Sequence, residues 1–121
     1  MKIIVCGPQE FPNETLLTNT LREYTRHNRV STIVLGQESG VETMAAEWAM
    51  KNNIRLAIVP TDRRLKGEQA ILERNKRMVE AHRDAAAVLH FVGCDASEDL
   101  CRRSFECNIA VDDVYPRTQV N

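Results

Sequence analysis

Four short apolar runs punctuate this chain, and each ends in a polar loop marked by glycine or proline. They are Lys2-Ile3-Ile4-Val5-Cys6 before Gly7-Pro8, Thr32-Ile33-Val34-Leu35 before Gly36-Gln37-Glu38-Ser39-Gly40, Arg55-Leu56-Ala57-Ile58-Val59 before Pro60, and Ala87-Val88-Leu89-His90-Phe91 before Val92-Gly93. Helical patterns lie between them. Runs that are apolar almost throughout mark parallel strands covered on both faces. In such a sheet every strand delivers its following loop to the same edge, and ligands bind there. The pattern locates a site before it specifies a ligand.

The intervening segments carry helical signals. Asn13 is placed to cap a first helix whose apolar stripe is Leu16, Leu17, Thr20, Leu21 and Tyr24. Val41, Met44, Ala45, Trp48 and Ala49 repeat at the spacing of one buried helical face. Gly67 leads into a helix with Ile71, Leu72, Asn75, Met78, Val79 and His82 on one side. Asp95-x-x-Glu98 has the form of a capping box and opens a last helix predicted to bury Leu100, Cys101, Ser104 and Phe105. Residues 109–114 are a candidate fifth strand, so one domain spans 1–114 and 115–121 form a tail. Alternating strands and helices predict right-handed crossover units in a three-layer α/β/α sandwich with a mainly parallel five-stranded sheet. Strand orders 2-1-3-4-5 and 3-2-1-4-5 both remain open.

Size and charge bound the function. A chain of 121 residues makes one domain, and it buries roughly two thirds of its unfolded surface. Its net charge of −1 offers nothing globally basic to recruit nucleic acid. The N-terminus enters a strand at once, without the pattern of a signal peptide. No apolar stretch approaches the ~20 residues of a membrane span. A soluble, cytoplasmic protein is expected, with no membrane partner. Cys6, Cys94, Cys101 and Cys107 have no C-x-x-C spacing and read as free thiols. The three histidines are scattered, so no metal site is expected.

The loops at the ligand edge supply the candidate residues. Gly36-Gln37-Glu38-Ser39-Gly40 opens the second helix, where bare backbone approaches a ligand and free N–H groups attract anions. It is neither the dinucleotide fingerprint nor a phosphate-binding P-loop, so no cofactor is called for. A plain strand-to-helix turn explains the glycines equally well. Glu42 is either a carboxylate favoured by the helix dipole, or a ribose-hydroxyl acceptor and general base. Arg63, Arg64 and Lys66 crowd one loop; they are either phosphate ligands or a solvated surface. Asn75 is a polar amide on an inward face, so it must find partners, either bracing a loop or holding a ligand with Arg74. His82 and His90 read as satisfied core histidines, and Trp48 as core.

Gly36 to Ala49 (Gly-Gln-Glu-Ser-Gly-Val-Glu-Thr-Met-Ala-Ala-Glu-Trp-Ala) resembles the G-G-A-R-G-A-D-x-L-A-x-x-W-A block of the DUF2493, or YspA-like (YAcAr), branch of the SLOG superfamily. Pro60, Gly67, Arg74-Asn75 and Met78 fall on that branch's P-x-x-W, G and R-N-x-x-M signature. Gly7 falls on its turn after the first strand, and Phe91-Val92-Gly93 resembles the start of its final glycine loop. The resemblance runs over roughly residues 2–114. It implies a Rossmann-like fold, related to the LOG and DprA proteins, that binds a nucleotide or nucleotide-derived small molecule. It implies a homo-oligomer, a dimer or larger, and relatives that cut the base–ribose bond of nucleoside monophosphates.

Several positions depart from the family pattern. Gln9 and Ser39 stand where the family has arginine, Gln37 where it has glycine, Glu42 where it has aspartate, and Ser97-Glu98 where it has G-T. Two cations and an anion-binding turn change together while the scaffold residues stay. Arg63, Arg64 and Lys66 are the candidates to replace the lost charge.

On this basis Gly7, Pro8, Gln9, Gly36, Gln37, Glu38, Ser39, Gly40, Arg63, Arg64, Arg74, Asn75, Gly93 and Ser97 are the candidate ligand-binding residues. Glu42 is the candidate catalytic one. Three functions compete: a nucleotide-derivative sensor or sequestering module, an N-glycosidic-bond hydrolase, and an oligomeric scaffold with a degenerate pocket. The hydrolase passes through an oxocarbenium-like state and wants a carboxylate at the ribose. Glu42 fits best, with Glu38 or Asp62 behind it.

Overall fold

The structure, a computed structural model, describes residues 1–11, 13–37 and 40–115. Nine elements alternate: β1 (Lys2–Cys6), α1 (Glu14–His27), β2 (Thr32–Leu35), α2 (Gly40–Lys51), β3 (Arg55–Ile58), α3 (Gly67–Ala81), β4 (Ala87–Phe91), α4 (Asp95–Glu106) and β5 (Ala110–Val114). All strand pairs are parallel and the sheet order is β3-β2-β1-β4-β5. This selects the second of the two orders and makes the sheet wholly parallel. The order reverses direction between β1 and β4, so a crevice opens there at the carboxyl ends of the strands.

Alternate side chains of the central strands feed two cores. Ile3, Val5, Ile33, Leu35, Leu89 and Phe91 pack with Leu17 and Leu21 of α1 and Val41, Ala45, Trp48 and Ala49 of α2. Phe11 meets Phe91 edge to face, with ring centroids 5.4 Å apart. On the other face Ile4, Cys6, Val34 and Val88 pack with Met78 and Val79 of α3 and Leu100 of α4. β1 and β4 are the most buried strands because they lie inside the sheet and are covered twice.

The first helix starts where its cap predicts. Asn13 Oδ1 accepts from Leu16 N at 2.9 Å. Asn13→Ala is expected to lower stability by about 1 kcal/mol in urea unfolding; an unchanged midpoint would show that the cap contributes nothing.

Three local expectations are corrected. β3 is an edge strand, half covered, with Arg55 and Ile58 exposed. Only β2 pairs with it, and an edge position removes one covering neighbour. Phe105 is 74% exposed, not core. The inward face of α4 runs through Ser97, Leu100 and Ser104, and Phe105 sits one residue past it. The capping box does not form: Cys94 is the N-cap, without a side-chain cap bond, so Asp95 is already inside the first turn. Residues 116–121 of the expected tail lie outside the described residues. Among the described residues, no helix is long and apolar enough to cross a membrane.

Candidate functional site

A cavity of about 200 Å³ opens at the β1/β4 reversal. Its wall includes Cys6, Gly7 and Gln9 after β1, Glu42 of α2, Arg74 and Asn75 of α3, and Ser97 and Leu100 of α4. Four separate segments of the chain meet there, because a parallel sheet sends its loops to one edge.

A buried ionic pair sits in the cavity wall. Arg74 and Glu42 are each 4% exposed. Arg74 Nη1 lies 3.8 Å from Glu42 Oε2, close enough for charge attraction and too far for a hydrogen bond. Glu42 Oε2 accepts from Gly36 N at 3.0 Å. Arg74 Nε donates to Asn75 Oδ1 at 3.2 Å, while Arg74 Nη1 is buried with no hydrogen-bond partner. Gly36 is bare where the guanidinium lies, and a Cβ there would collide with Nη1.

Asn75 braces the site from below. Its Nδ2 donates to Ala96 O at 2.9 Å and Asp99 Oδ2 at 3.1 Å. Asp99 also accepts from Arg102 Nη2 at 2.7 Å and Arg103 Nε at 2.8 Å. Burial pushes the Asp99 carboxyl up, but the hydrogen bonds from Arg103 and Asn75 outweigh it and hold the group below the usual carboxylate range.

The other glycines shape the rim by crowding. A Cβ on Gly7 would stand 2.7 Å from Val41 Cγ2, and one on Gly40 would stand 2.5 Å from Gln9 O. Gly40 N donates to that same Gln9 carbonyl at 2.8 Å, tying the first loop to the start of α2. Gly93 has a φ of 154° and packs against Pro8.

Of the sequence candidates, the cavity therefore collects Gly7, Gln9, Glu42, Arg74, Asn75 and Ser97. Pro8, Gly36, Gly40 and Gly93 are outside its wall; Gly36 abuts Arg74 and Glu42, Gly40 abuts Gln9, and Gly93 packs against Pro8. Gln37 is exposed on the bend after β2, and Glu38 and Ser39 lie outside the described residues. Arg63 and Arg64 are exposed and stand apart from the cavity wall. Arg64 is engaged by Asp62 through two bonds, Nε to Oδ1 at 3.1 Å and Nη2 to Oδ2 at 2.8 Å. The Arg64 hydrogen bond holds the Asp62 carboxyl down at about 2.

Sequence reasoning did not foresee the row beside the cavity. Sheet register sets Cys6 opposite His90, and His90 opposite Asp113. Ser97 and Cys101 of α4, one turn apart, lie over that row. The hydrogen bond from Cys6 lowers the Cys101 thiol to about 6 against the opposing effect of burial, and His90 helps. The same contact with Cys101, together with burial, pushes the Cys6 thiol up. In the folded protein iodoacetamide is expected to modify Cys101 with a half-maximal rate near pH 6, its thiolate forming as pH rises. A rate still climbing toward the ordinary thiol value of 9.0 would contradict this.

These features define a class: an all-parallel Rossmann-like α/β domain with a small cavity at its switch point, where a few polar side chains sit in a largely apolar wall. The chain belongs to the YspA, cpYpsA-related SLOG family (YAcAr), whose family pattern matches residues 1–65. The match covers β1 through β3 and the loop after it; Arg74, Asn75, Gly93 and Ser97 lie beyond it. No curated protein and no solved structure matches the chain.

Proposed function

We propose that this chain binds a nucleotide-derived small molecule at the β1/β4 crevice, with a ribosyl group seated in the cavity. The supporting observation is Arg74 Nη1, a cation sealed from water with no hydrogen-bond partner in the cavity wall. An unpartnered buried donor costs about 1–3 kcal/mol, more when charged. A ligand oxygen reaching Nη1 relieves that cost.

The cavity chemistry favours a sugar over a phosphate. It pairs one cation with one carboxylate, Arg74 with Glu42, which suits a neutral polyhydroxyl group. Asp95 and Glu98 in the first turn of α4 repel a phosphate from that helix start. About 200 Å³ is below the roughly 300–1,000 Å³ of pockets that enclose a whole drug-sized ligand. A ribose ring therefore fills the cavity, and base or phosphates extend from its mouth. Family membership supports a nucleotide-related ligand, and the homo-oligomer that the family resemblance implies is tested by light scattering.

Thermal shift with adenosine, AMP, ADP, cyclic AMP and ADP-ribose tests the reading. Stabilisation should grow with ligand as RT ln(1 + [L]/Kd), about 2.7 kcal/mol at a hundredfold excess over Kd. No response from any of the five overturns it.

A second reading rests on Glu42, a buried carboxylate in the same wall. If the bound molecule is a nucleoside monophosphate, Glu42 can stabilise the oxocarbenium-like state of N-glycosidic cleavage. Release of free base that disappears in Glu42→Gln supports it; release that persists removes Glu42 from the chemistry.

A further inference from the structure

Ser97, His90 and Asp113 come from α4, β4 and β5 and form one connected line. Ser97 Oγ lies 3.0 Å from His90 Nε2, and His90 Nδ1 lies 2.9 Å from Asp113 Oδ1. An ionised carboxylate can only accept, so Nδ1 carries the proton that points at Asp113 and Nε2 is the nitrogen left to face the hydroxyl. The Cys101 thiol also hydrogen-bonds His90, so the ring serves as base when it is neutral. The line runs from outside to inside. The Asp113 side chain is 44% exposed, that of His90 is 5% exposed, and Ser97 is buried in the cavity wall. Ser97 Oγ also donates to Cys94 O at 3.0 Å and accepts from Cys94 Sγ at 3.2 Å. The serine proton is thus divided between a carbonyl and an imidazole.

We infer that Ser97 is a nucleophile for small carboxylic esters, with His90 as its general base and Asp113 as the residue that positions His90. Ser97 Oγ attacks the ester carbonyl carbon and its proton passes to His90 Nε2. The carbonyl electron pair moves onto oxygen, giving an anion in the cavity that holds Arg74. Collapse expels the alkoxide, which takes the proton from Nε2 and leaves as the alcohol. Water attacks the acyl-Ser97 carbonyl by the same route, releasing the carboxylic acid and restoring the hydroxyl. An acyl group fits better than a phosphoryl group. The cavity offers one cation beside a carboxylate, and the several charged oxygens of a phosphoryl group need more. The arrangement has the roles of a serine–histidine–aspartate triad, recognised by geometry and not by order along the chain.

Diisopropyl fluorophosphate and p-nitrophenyl acetate test this on the full chain without any nucleotide. The organophosphate should form a P–O bond at Ser97, expelling fluoride, with peptide mass mapping placing the adduct there. Ester hydrolysis should fall about a hundredfold or more in Ser97→Ala. Because Asp113 is half exposed, Asp113→Asn should keep the melting temperature while lowering the labelling rate about tenfold or more. Asp113→Glu should restore part of it. An unlabelled folded wild type, an adduct on Cys94 or Cys101 instead, or equal hydrolysis in Ser97→Ala overturns the inference. Labelling of Ser97 with no thermal response to nucleotides leaves it standing and removes the nucleotide reading.

Discussion

Arg74→Ala is expected to lower folding stability by about 3 kcal/mol and to erase any thermal response to ligand. Two effects oppose each other at this residue. Attraction to Glu42 at 3.8 Å amounts to about 4 kcal/mol at an effective dielectric near 20. The unpartnered Nη1 returns about 1–3 kcal/mol of that. Attraction wins, and removing the cation takes the Arg74 charge away from a 4% exposed carboxylate. It also frees Asn75 Oδ1, which Arg74 Nε holds. Glu42→Gln in the Arg74→Ala background should recover part of the loss, because the neutral amide needs no cation. A double-mutant cycle in urea measures this. A loss below about 1 kcal/mol in Arg74→Ala, or no recovery in the double variant, would show that the Arg74–Glu42 attraction does not stabilise the fold.

Gly36→Ala should separate the site from the fold. The added methyl would fall on Arg74 Nη1 and stand 2.7 Å from Glu42 Oε2. The guanidinium is the end of a flexible side chain, but shifting it gives up its approach to Glu42 and its bond to Asn75. A cost of about 1–3 kcal/mol follows from overpacking, together with loss of the ligand response. Gly67→Ala is the control. A Cβ there meets nothing, and its φ of +61° is the whole penalty, so stability falls while ligand response is kept. Equal ligand response in Gly36→Ala and wild type would remove the Arg74 end of the cavity from the binding reading.

Most of the fold could be read from the chain because its signals are local. The four apolar runs ending at Cys6, Leu35, Val59 and Phe91 became parallel strands, the third ending one residue earlier at Ile58, and their loops share one edge. Asn13 capped its helix, and Gly40 opened the next. Strand order was not legible, because both candidate orders use the same elements with loops of the same length. That ambiguity hid the edge position of β3. It also hid which two strands flank the crevice, since that lies wherever the order reverses. Arg74 was legible as a neighbour of the inward Asn75 and through the R-N-x-x-M resemblance, but its partner was not. Its approach to Glu42 joins α3 to α2 across 32 positions, a pairing no periodicity reports. His90 was expected to be a satisfied core histidine, and its partners Ser97 and Asp113 do satisfy it. Their alignment depends on the β4/β5 register, which exists only once the sheet has formed. The exposed cations Arg63 and Arg64 were the strongest charge signal in the sequence, yet they stand outside the cavity wall. Charge in a loop reports solvation as readily as it reports a ligand.

Amide chemical-shift mapping with ADP-ribose tests most directly whether loops from separate segments form one ligand site at the β1/β4 crevice. The largest shifts are expected together at Gly7, Gln9, Gly36, Arg74 and Ser97. Shifts confined to the Arg63–Arg64 loop, or to the outer face of α4 around Phe105, would contradict it.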